Sequence, residues 1–280
     1  MKTSTQLKAK IRNMAQQKNI KPEVILRNYM MERFLERMAN SKYADKFILK
    51  GGLLIVSMVG IDTRSTMDLD ATMKGQSISK EKLEKIVNEI LCIEVEDNVE
   101  MSLLDISNIH DESDYPGFRV SIATKFDKTK QTIKIDVTSG DVITPKEITY
   151  TFPLMFEERE IQIQAYNLET VLAEKLESVM DRNTTNTRMR DFYDIHILTT
   201  MHGENIDYAV FANAFKRTSE KRGSIERIGK KVMNIFDMIE KSGDLALLWD
   251  KYQKKYPYAA DIAYTEVIED IRKLIGKTGL

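Results

Sequence analysis

The spacing of hydrophobic residues changes along the chain, and the change separates a mixed front half from a helical back half. Apolar residues three and four apart predict a helix over residues 5–18 and a second over residues 21–41, where Pro22 occupies a tolerated first-turn position. The following stretch, "FILKGGLLIVSMVG", predicts a short strand or loop, a glycine pair and a brief buried helix. Two helices therefore precede the first strand.

Alternating and β-branched residues then dominate. They predict strands at Met67–Met73, Val95–Asp105, Phe118–Phe126 and Thr132–Val137, with turns at "DYPG" and "DKTK" and a helix over residues 80–93. After Pro145 and Pro153, helical spacing returns in "NLETVLAEKLESVMDRN" and continues over most of residues 205–276. The pattern predicts an α+β domain at residues 1–150 and a helical domain at residues 151–280, with the boundary region between residues 145 and 167.

Composition bears on whether the chain binds nucleic acid or membrane, contains disulfides or is secreted. Its 42 basic and 43 acidic residues nearly cancel, so a contact with nucleic acid or membrane requires a local patch. One cysteine excludes an intramolecular disulfide framework, and the first residues lack the apolar core of a secretion signal. The longest apolar run, "GGLLIVSMVG", is about half of a membrane span. We expect a soluble, cytoplasmic protein.

Two aspartates stand two positions apart in "RSTMDLD". Because side chains alternate across a strand, Asp68 and Asp70 are predicted to share a face, where their oxygens could bind one Mg²⁺ ion. An ordinary solvated strand face would show the same pair. A third acid, Asp136, follows in "TIKIDVTSGD", on the face opposite Ile133, Ile135 and Val137. If the strands are neighbours, three carboxylates converge, which suits phosphoryl or nucleotidyl transfer. The alternative is that Asp136 and Asp141 are acids flanking a turn.

Charged residues also occupy two predicted helices of the back half. Lys175 lies within an apolar stripe formed by Leu168, Val171, Leu172, Leu176 and Val179. It could extend its ammonium to solvent or reach a nucleotide phosphate. In "TRMRDFYDIHIL", Asp191 and Asp194 share a helix face and Arg188 and Arg190 could hold phosphate, although acids near a helix start are ordinary dipole partners.

A basic run, "KRTSEKRGSIERIGKK" at residues 216–231, contains seven cations and two acids. It is either a solvated helix face or a footprint for an RNA backbone, formed by Lys216, Arg217, Lys221, Arg222, Arg227, Lys230 and Lys231. The three histidines, His110, His196 and His202, have no metal-ligand spacing. Walker and dinucleotide-binding glycine motifs are also absent from the sequence.

Taken in order, the motifs "KGGLLIVSMVGIDTRSTMDLD", "IKIDVTSGDVITP", "LAEKLESV" and "RMRDFYDIHIL" resemble the AbiEii/AbiGii family of nucleotidyltransferase-like toxins. The resemblance is clear over residues 45–200 and looser in the C-terminal helices. It implies a nucleotidyltransferase-like mixed β-sheet with flanking helices, followed by a mostly helical C-terminal domain. These toxins belong to bacterial abortive-infection and toxin–antitoxin modules used in phage defence, and their partner is an AbiEi-type antitoxin with a winged-helix DNA-binding part.

By position, the resemblance assigns the glycine motif to Gly51 and Gly52 and the metal-binding pair to Asp68 and Asp70. Asp136 matches the third acid of the wider nucleotidyltransferase fold. The resemblance therefore implies Asp68, Asp70 and Asp136 as the metal ligands. The resemblance also implies catalytic roles for Lys175, Asp191 and Asp194, contributed by the C-terminal domain. The nucleotide-binding residues that it implies are Lys50, Gly51, Gly52, Arg64, Thr66, Arg188 and Arg190.

The chain departs from the family pattern at two positions. Many nucleotidyltransferases have Gly-Ser where Gly51-Gly52 stands, so backbone amides must replace a serine contact to phosphate. The late motif usually reads R-x-K-D, whereas here Arg190 takes the lysine position, which keeps the charge and changes the hydrogen-bond geometry.

The resemblance implies a Mg²⁺- or Mn²⁺-dependent enzyme that joins NMP from an NTP to RNA. The related MenT toxins add nucleotides to the acceptor end of tRNA, so the tRNA 3′ end is the expected acceptor. Two alternatives are a transferase acting on a protein or small molecule, and a non-catalytic nucleotide-binding protein.

Overall fold

The computed structural model describes residues 3–75, 78–109, 117–229 and 231–279, which form two compact units. The first unit is Met1–Asp141 with Ile148–Ala165, and the second is Val142–Glu147 with Tyr166–Leu280. His110, Lys230 and most of the predicted "DYPG" turn lie outside the described residues. No helix within the described ranges has the length and apolar character needed to cross a membrane.

The first unit is a mixed sheet with helices. Its helices are α1 (Ser4–Lys18), α2 (Pro22–Ala39), α3 (Gly51–Val59) and α4 (Lys80–Leu91). Its strands are β1 (Phe47–Lys50), β2 (Leu69–Met73), β3 (Val99–Ile109), β4 (Gly117–Phe126), β5 (Thr129–Ser139), β6 (Ile148–Pro153) and β7 (Glu160–Ala165). The strand order is β3-β4-β5-β2-β1-β7-β6, in which β2 runs parallel to β5 and β1 parallel to β7.

The alternation of side chains decides which face of the sheet is covered. Ile133, Ile135 and Val137 of β5 are buried, whereas Lys134 and Asp136 point to the other, more open face. Helix α2 packs against β5 and β7, and α4 packs against β3. The sheet therefore buries apolar residues on one side and leaves its polar positions on the other.

The second unit is helical. It contains α5 (Leu168–Arg182), α6 (Met189–His202), α7 (Tyr208–Lys221), α8 (Ile225–Gly229), α9 (Val232–Glu240), α10 (Gly243–Lys255) and α11 (Tyr264–Ile275). Helix α5 packs against α6 and α7, and α6 packs against α11. Asn167 begins α5 as its N-cap, because its Oδ1 accepts a 2.7 Å hydrogen bond from the Thr170 amide. The predicted α+β class and the helical C-terminal part are confirmed.

Two features of the sheet differ from the sequence-based expectation. Strand β3 begins at Val99 instead of Val95, because Asn98 has a left-handed backbone (φ 56°) that interrupts an extended chain. Strands β6 and β7 were not predicted. They pair with each other and add to β1, so residues 148–165 belong with the first unit, and the expected division at residue 150 falls inside β6.

Candidate active site

Four charged residues stand side by side across the middle of the sheet. Asp70 of β2 is in register with Asp136 of β5 on one side and with Lys50 of β1 on the other. Arg119 of β4 is in turn in register with Asp136. The order Lys50, Asp70, Asp136, Arg119 therefore places two carboxylates between two cations, which reduces the repulsion between the acids.

Asp68 lies just before β2, and the buried Leu69 separates it from Asp70. Its backbone carbonyl accepts a 3.1 Å hydrogen bond from the Thr66 hydroxyl. Its carboxylate forms no hydrogen bond or ion pair with any residue in the described ranges. The acid pair expected from the sequence is therefore present, and the Asp68 oxygens can accept a cation.

Asp136 is held by an arginine that the sequence analysis did not identify. Arg119 donates from Nε to Oδ1 at 2.8 Å and from Nη2 to Oδ2 at 2.7 Å. These hydrogen bonds, and the negative charges of Asp136, Asp68 and Asp70, raise the pKa of the guanidinium. The sequence signal that could have indicated Arg119 is its polar position between the apolar Phe118 and Val120 in a predicted strand.

The glycine pair forms the start of α3 and lies directly against Asp70. Gly51 has a left-handed backbone (φ 62°), and the Gly52 amide donates a 3.1 Å hydrogen bond to Asp70 Oδ2. A Cβ atom on Gly51 would lie 2.2 Å from the same oxygen. Glycine is required here by both the backbone conformation and the close approach of the carboxylate. The helix N-terminus also places positive partial charge next to the Asp70 carboxylate.

Arg64 and Thr66 pack against the start of α3 next to Gly52. Both are buried, and a Cβ atom on Gly52 would lie 2.4 Å from Thr66 Oγ1 and 2.5 Å from Arg64 Nη1. Lys50 is also engaged, because its ammonium lies 2.5 Å from Asp141 Oδ2. Asp141 in turn accepts a 2.8 Å hydrogen bond from the Thr138 hydroxyl. These residues position the glycine loop and its flanks.

The donor set around Asp70 suits a hard divalent cation. Asp68 and Asp70 supply carboxylate oxygens, which Mg²⁺ and Mn²⁺ prefer. Both oxygens of Asp136 are taken by Arg119, and within the described ranges no three His, Cys, Asp or Glu residues already form a metal cluster. The first two acids therefore fit a metal, and Asp136 would have to exchange its arginine partner to join them.

A second charged cluster lies in the helical unit. Lys175 of α5 contacts two aspartates of α6, at 2.6 Å from Asp191 Oδ1 and 2.9 Å from Asp194 Oδ2. The Ser178 hydroxyl donates to Asp191 Oδ2 at 3.1 Å. The predicted lysine and late acid motif thus meet each other, and Lys175 does not extend to solvent. Burial of Asp194 makes the ammonium an important partner for its charge.

The two arginines of the late motif lie at the start of α6. Arg188 is the N-cap residue of α6. The guanidinium of Arg190 lies 5.6 Å from the ring centroid of Tyr256 and donates to its hydroxyl at 3.1 Å. A planar guanidinium stacks on an aromatic ring better than an ammonium does. This contact gives a structural reason for arginine at the position where the family usually has lysine.

Two arginines of the basic run at residues 216–231 are paired with acids of their own unit. Arg222 lies 2.6 Å from Glu177 and 3.0 Å from Glu174. Arg227 lies 2.6 Å from Asp181. Arginines that pair with carboxylates at this distance hold less charge available for phosphate, so the run is a weaker RNA footprint than its composition suggests.

Residues 33–273 match the sequence family described as nucleotidyl transferase AbiEii toxin, type IV toxin–antitoxin system. The chain belongs to the AbiEii family. The expected resemblance is thereby confirmed over most of the sequence, and the matched range includes every candidate site residue named above. Membership implies a cognate antitoxin as partner.

Solved structures similar to this AbiEii-family chain share little sequence with it. JHP933 from Helicobacter pylori is 17% identical over 91% of this chain and 93% of that protein, with a TM-score of 0.49. A putative nucleotidyltransferase from H. pylori has the same identity and TM-score over 93% and 98% of the two chains. An antigenic nucleotidyltransferase-like protein from Paracoccidioides brasiliensis is 14% identical over 74% and 92%, with a TM-score of 0.39. No curated protein sequence matches the chain significantly.

Proposed function

We propose that this AbiEii-family protein is a Mg²⁺- or Mn²⁺-dependent nucleotidyltransferase that transfers NMP from an NTP to RNA. Its acceptor would be the 3′ end of tRNA, and its toxicity would be neutralised by an AbiEi-type winged-helix antitoxin. The observation that carries the proposal is the position of Asp70. This acid lies in register with Asp136 and accepts a hydrogen bond from the Gly52 amide at the start of α3.

Asp68 and Asp70 would hold the metal ion, which when bound supplies positive charge next to the phosphate oxygens. The Gly52 amide is taken by Asp70, so the other backbone amides at the start of α3 would orient a phosphate group in place of the missing serine hydroxyl. Lys50 adds a cation beside Asp70 on β1. Together these groups would fix the triphosphate for in-line attack.

In the transfer step, the acceptor hydroxyl oxygen forms a bond to the α-phosphorus while the bond from that phosphorus to the bridging oxygen breaks. Pyrophosphate leaves with the electron pair of the broken bond. The hydroxyl proton passes to a carboxylate, for which Asp136 is the candidate once Arg119 releases it. Lys175 stays a predicted phosphate ligand, and within its own unit its ammonium contacts Asp191 and Asp194.

The proposal is tested with the purified full-length protein, Mg²⁺, total tRNA and each of the four NTPs, labelled at the α-phosphate. We expect label in the tRNA from the wild type and none from Asp68→Asn or Asp70→Asn, which keep side-chain size and remove charge. Asp45→Asn, an exposed acid of the same unit, is the matched control and should retain activity.

The other outcomes separate the alternatives. Label in a protein band would identify a protein acceptor and contradict the RNA assignment. Binding of NTP without transfer to any added acceptor would identify a non-catalytic nucleotide-binding protein. Full transfer by Asp70→Asn would reject the site itself.

A further inference from the structure

A groove of about 950 Å³ lies on the open face of the sheet and begins at Asp68. It runs along β3, β4 and β5, and its cations are Arg27, Lys125, Lys130 and Lys134. Lys130 and Lys134 stand four residues apart on β5, which separates their Cα atoms by about 13 Å at roughly 3.3 Å per residue. The groove is therefore long enough for several linked phosphates.

Three of these four cations have no acidic partner in the described part of the chain. Lys125 is paired with Glu100 at 2.9 Å, but Lys130 and Lys134 form no ion pair there. Nη1 of Arg27 donates to the Met67 sulfur at 3.0 Å, and the buried Nε has no hydrogen-bond partner in the described part of the chain. A thioether is a weak and uncharged acceptor, so it leaves the charge of this guanidinium unbalanced.

We propose that this groove binds the sugar–phosphate backbone of the acceptor RNA and delivers its 3′ end to Asp68; this inference rests on the proposed function. The uncompensated charge points to a polyanion, and the groove ends at an acid of the proposed site. Among the described residues, its lining contains no aromatic side chain on which a base could stack. The groove therefore holds the backbone without reading the base sequence.

Position also favours this groove over the basic run at residues 216–231. Strand β5 lines the groove and also carries Asp136, and Asp68 is itself a lining residue. The groove and the acids of the proposed site therefore belong to one compact unit. In the basic run, Arg222 and Arg227 are committed to carboxylates. Free cations next to the acids have more effect on an incoming phosphate than cations that are already paired.

The test compares Lys130→Gln/Lys134→Gln with the wild type in full-length protein. Binding of total tRNA is measured between about 50 and 200 mM salt. Two lost phosphate contacts should lower affinity by roughly tenfold and reduce the log–log salt slope by about 1.4, at about 0.7 per contact for a single strand. Lys80→Gln/Lys85→Gln removes two exposed lysines of α4 outside the groove and should change neither quantity. Lys130→Arg/Lys134→Arg keeps the charge and should keep the affinity.

Affinity for NTP alone, measured by calorimetry, should be unchanged in every variant, because the triphosphate is bound at the acids and glycines. A wild type that neither binds nor labels tRNA rejects the proposed function. A wild type that binds tRNA, together with a groove variant of unchanged affinity and salt slope, rejects this inference alone. Equal loss in the groove variant and the α4 control would show general charge attraction and would also reject it.

Discussion

Arg119 holds Asp136 through two parallel hydrogen bonds of 2.7 and 2.8 Å, and Asp136 is the residue in register with Asp70. The arginine therefore supplies positive charge next to Asp136 and Asp70. Its cationic charge lowers the repulsion between the two neighbouring carboxylates, so the sheet can hold both acids in adjacent strands.

This relationship predicts how Arg119→Gln responds to metal. Glutamine removes the charge, so Asp136 loses its bidentate partner and repels Asp70 more strongly. We expect a lower melting temperature without metal and a larger rise on adding Mg²⁺ than in the wild type, measured by differential scanning fluorimetry. Arg119→Lys keeps the charge and should behave nearly as the wild type. Equal Mg²⁺ responses in Arg119→Gln and the wild type would contradict the proposed metal site.

The glycine at the start of α3 gives a second prediction. Gly51→Ala places a Cβ atom 2.2 Å from Asp70 Oδ2 and 2.8 Å from Asp70 Cβ, a clash that side-chain rotation cannot remove. Gly223→Ala is the matched control, since Gly223 has a similar φ of 67° with nothing within 4 Å of the added atom. The control should cost about 1–2 kcal/mol of strain, because alanine disfavours the left-handed backbone. Gly51→Ala should cost about 1–3 kcal/mol more, from overpacking, and abolish transfer.

Chemical denaturation of the two alanine variants measures this difference. Equal losses of unfolding free energy would show that backbone strain alone matters at Gly51 and that the contact with Asp70 is unimportant.

Lys175 is predicted to stabilise the helical unit. Lys175→Met keeps the aliphatic stem but removes the ammonium that contacts Asp191 and the buried Asp194. Breaking a buried pair costs about 3–5 kcal/mol, so we expect a large decrease in the free energy of unfolding. Lys273→Met, which removes an exposed lysine of the same unit, should change stability by less than about 1 kcal/mol.

Adding Asp194→Asn to Lys175→Met should restore part of the lost stability, because the uncompensated charge is then removed. A Lys175→Met protein as stable as the wild type would show that the two aspartates do not depend on the lysine.

A buried acidic cluster predicts a dependence of stability on pH. Glu32 lies beside Arg33, and Glu36 and Glu157 share the same arginine, which places three carboxylates near Arg33 and the partly exposed Arg159. Burial raises the pKa of Glu32 to about 8. If Glu32 is protonated, Arg33 and Arg159 balance the charges of the two remaining carboxylates. This charge balance agrees with a raised pKa for Glu32.

Because the pKa of Glu32 is raised from 4.5 to about 8 on folding, its contribution is fully present below pH 4.5 and is lost as pH rises through about 8. Glu32→Gln should flatten this part of the stability curve and make the variant more stable than the wild type above pH 8. In the wild type the Met155 amide donates a 2.9 Å hydrogen bond to Glu32 Oε2, and the side-chain carbonyl of glutamine can accept the same bond. Urea denaturation from pH 5 to 9 measures the effect, and parallel curves would contradict it.

Local periodicity determined much of this protein from the sequence alone. Alternation in β5 placed Asp136 opposite three buried apolar residues, and the two-residue spacing of Asp68 and Asp70 put Leu69 in the core between them. The helix of Lys175 and the helix of Asp191 were also evident from spacing. These features depend only on the 2.0 and 3.6 residue periods of strand and helix, which neighbouring residues set. The motif resemblance identified the family.

Tertiary structure decided which of these residues meet. Strand order brings Arg119 to Asp136, and the addition of β7 to β1 moves residues 148–165 into the first unit. Lys175 could have extended to solvent, but the packing of α5 against α6 directs it to Asp191 and Asp194. Each of these contacts joins segments distant in the chain, and its free energy depends on burial and register across elements. A periodic pattern in one segment specifies the face of a side chain, whereas its partner is specified only when the segments pack.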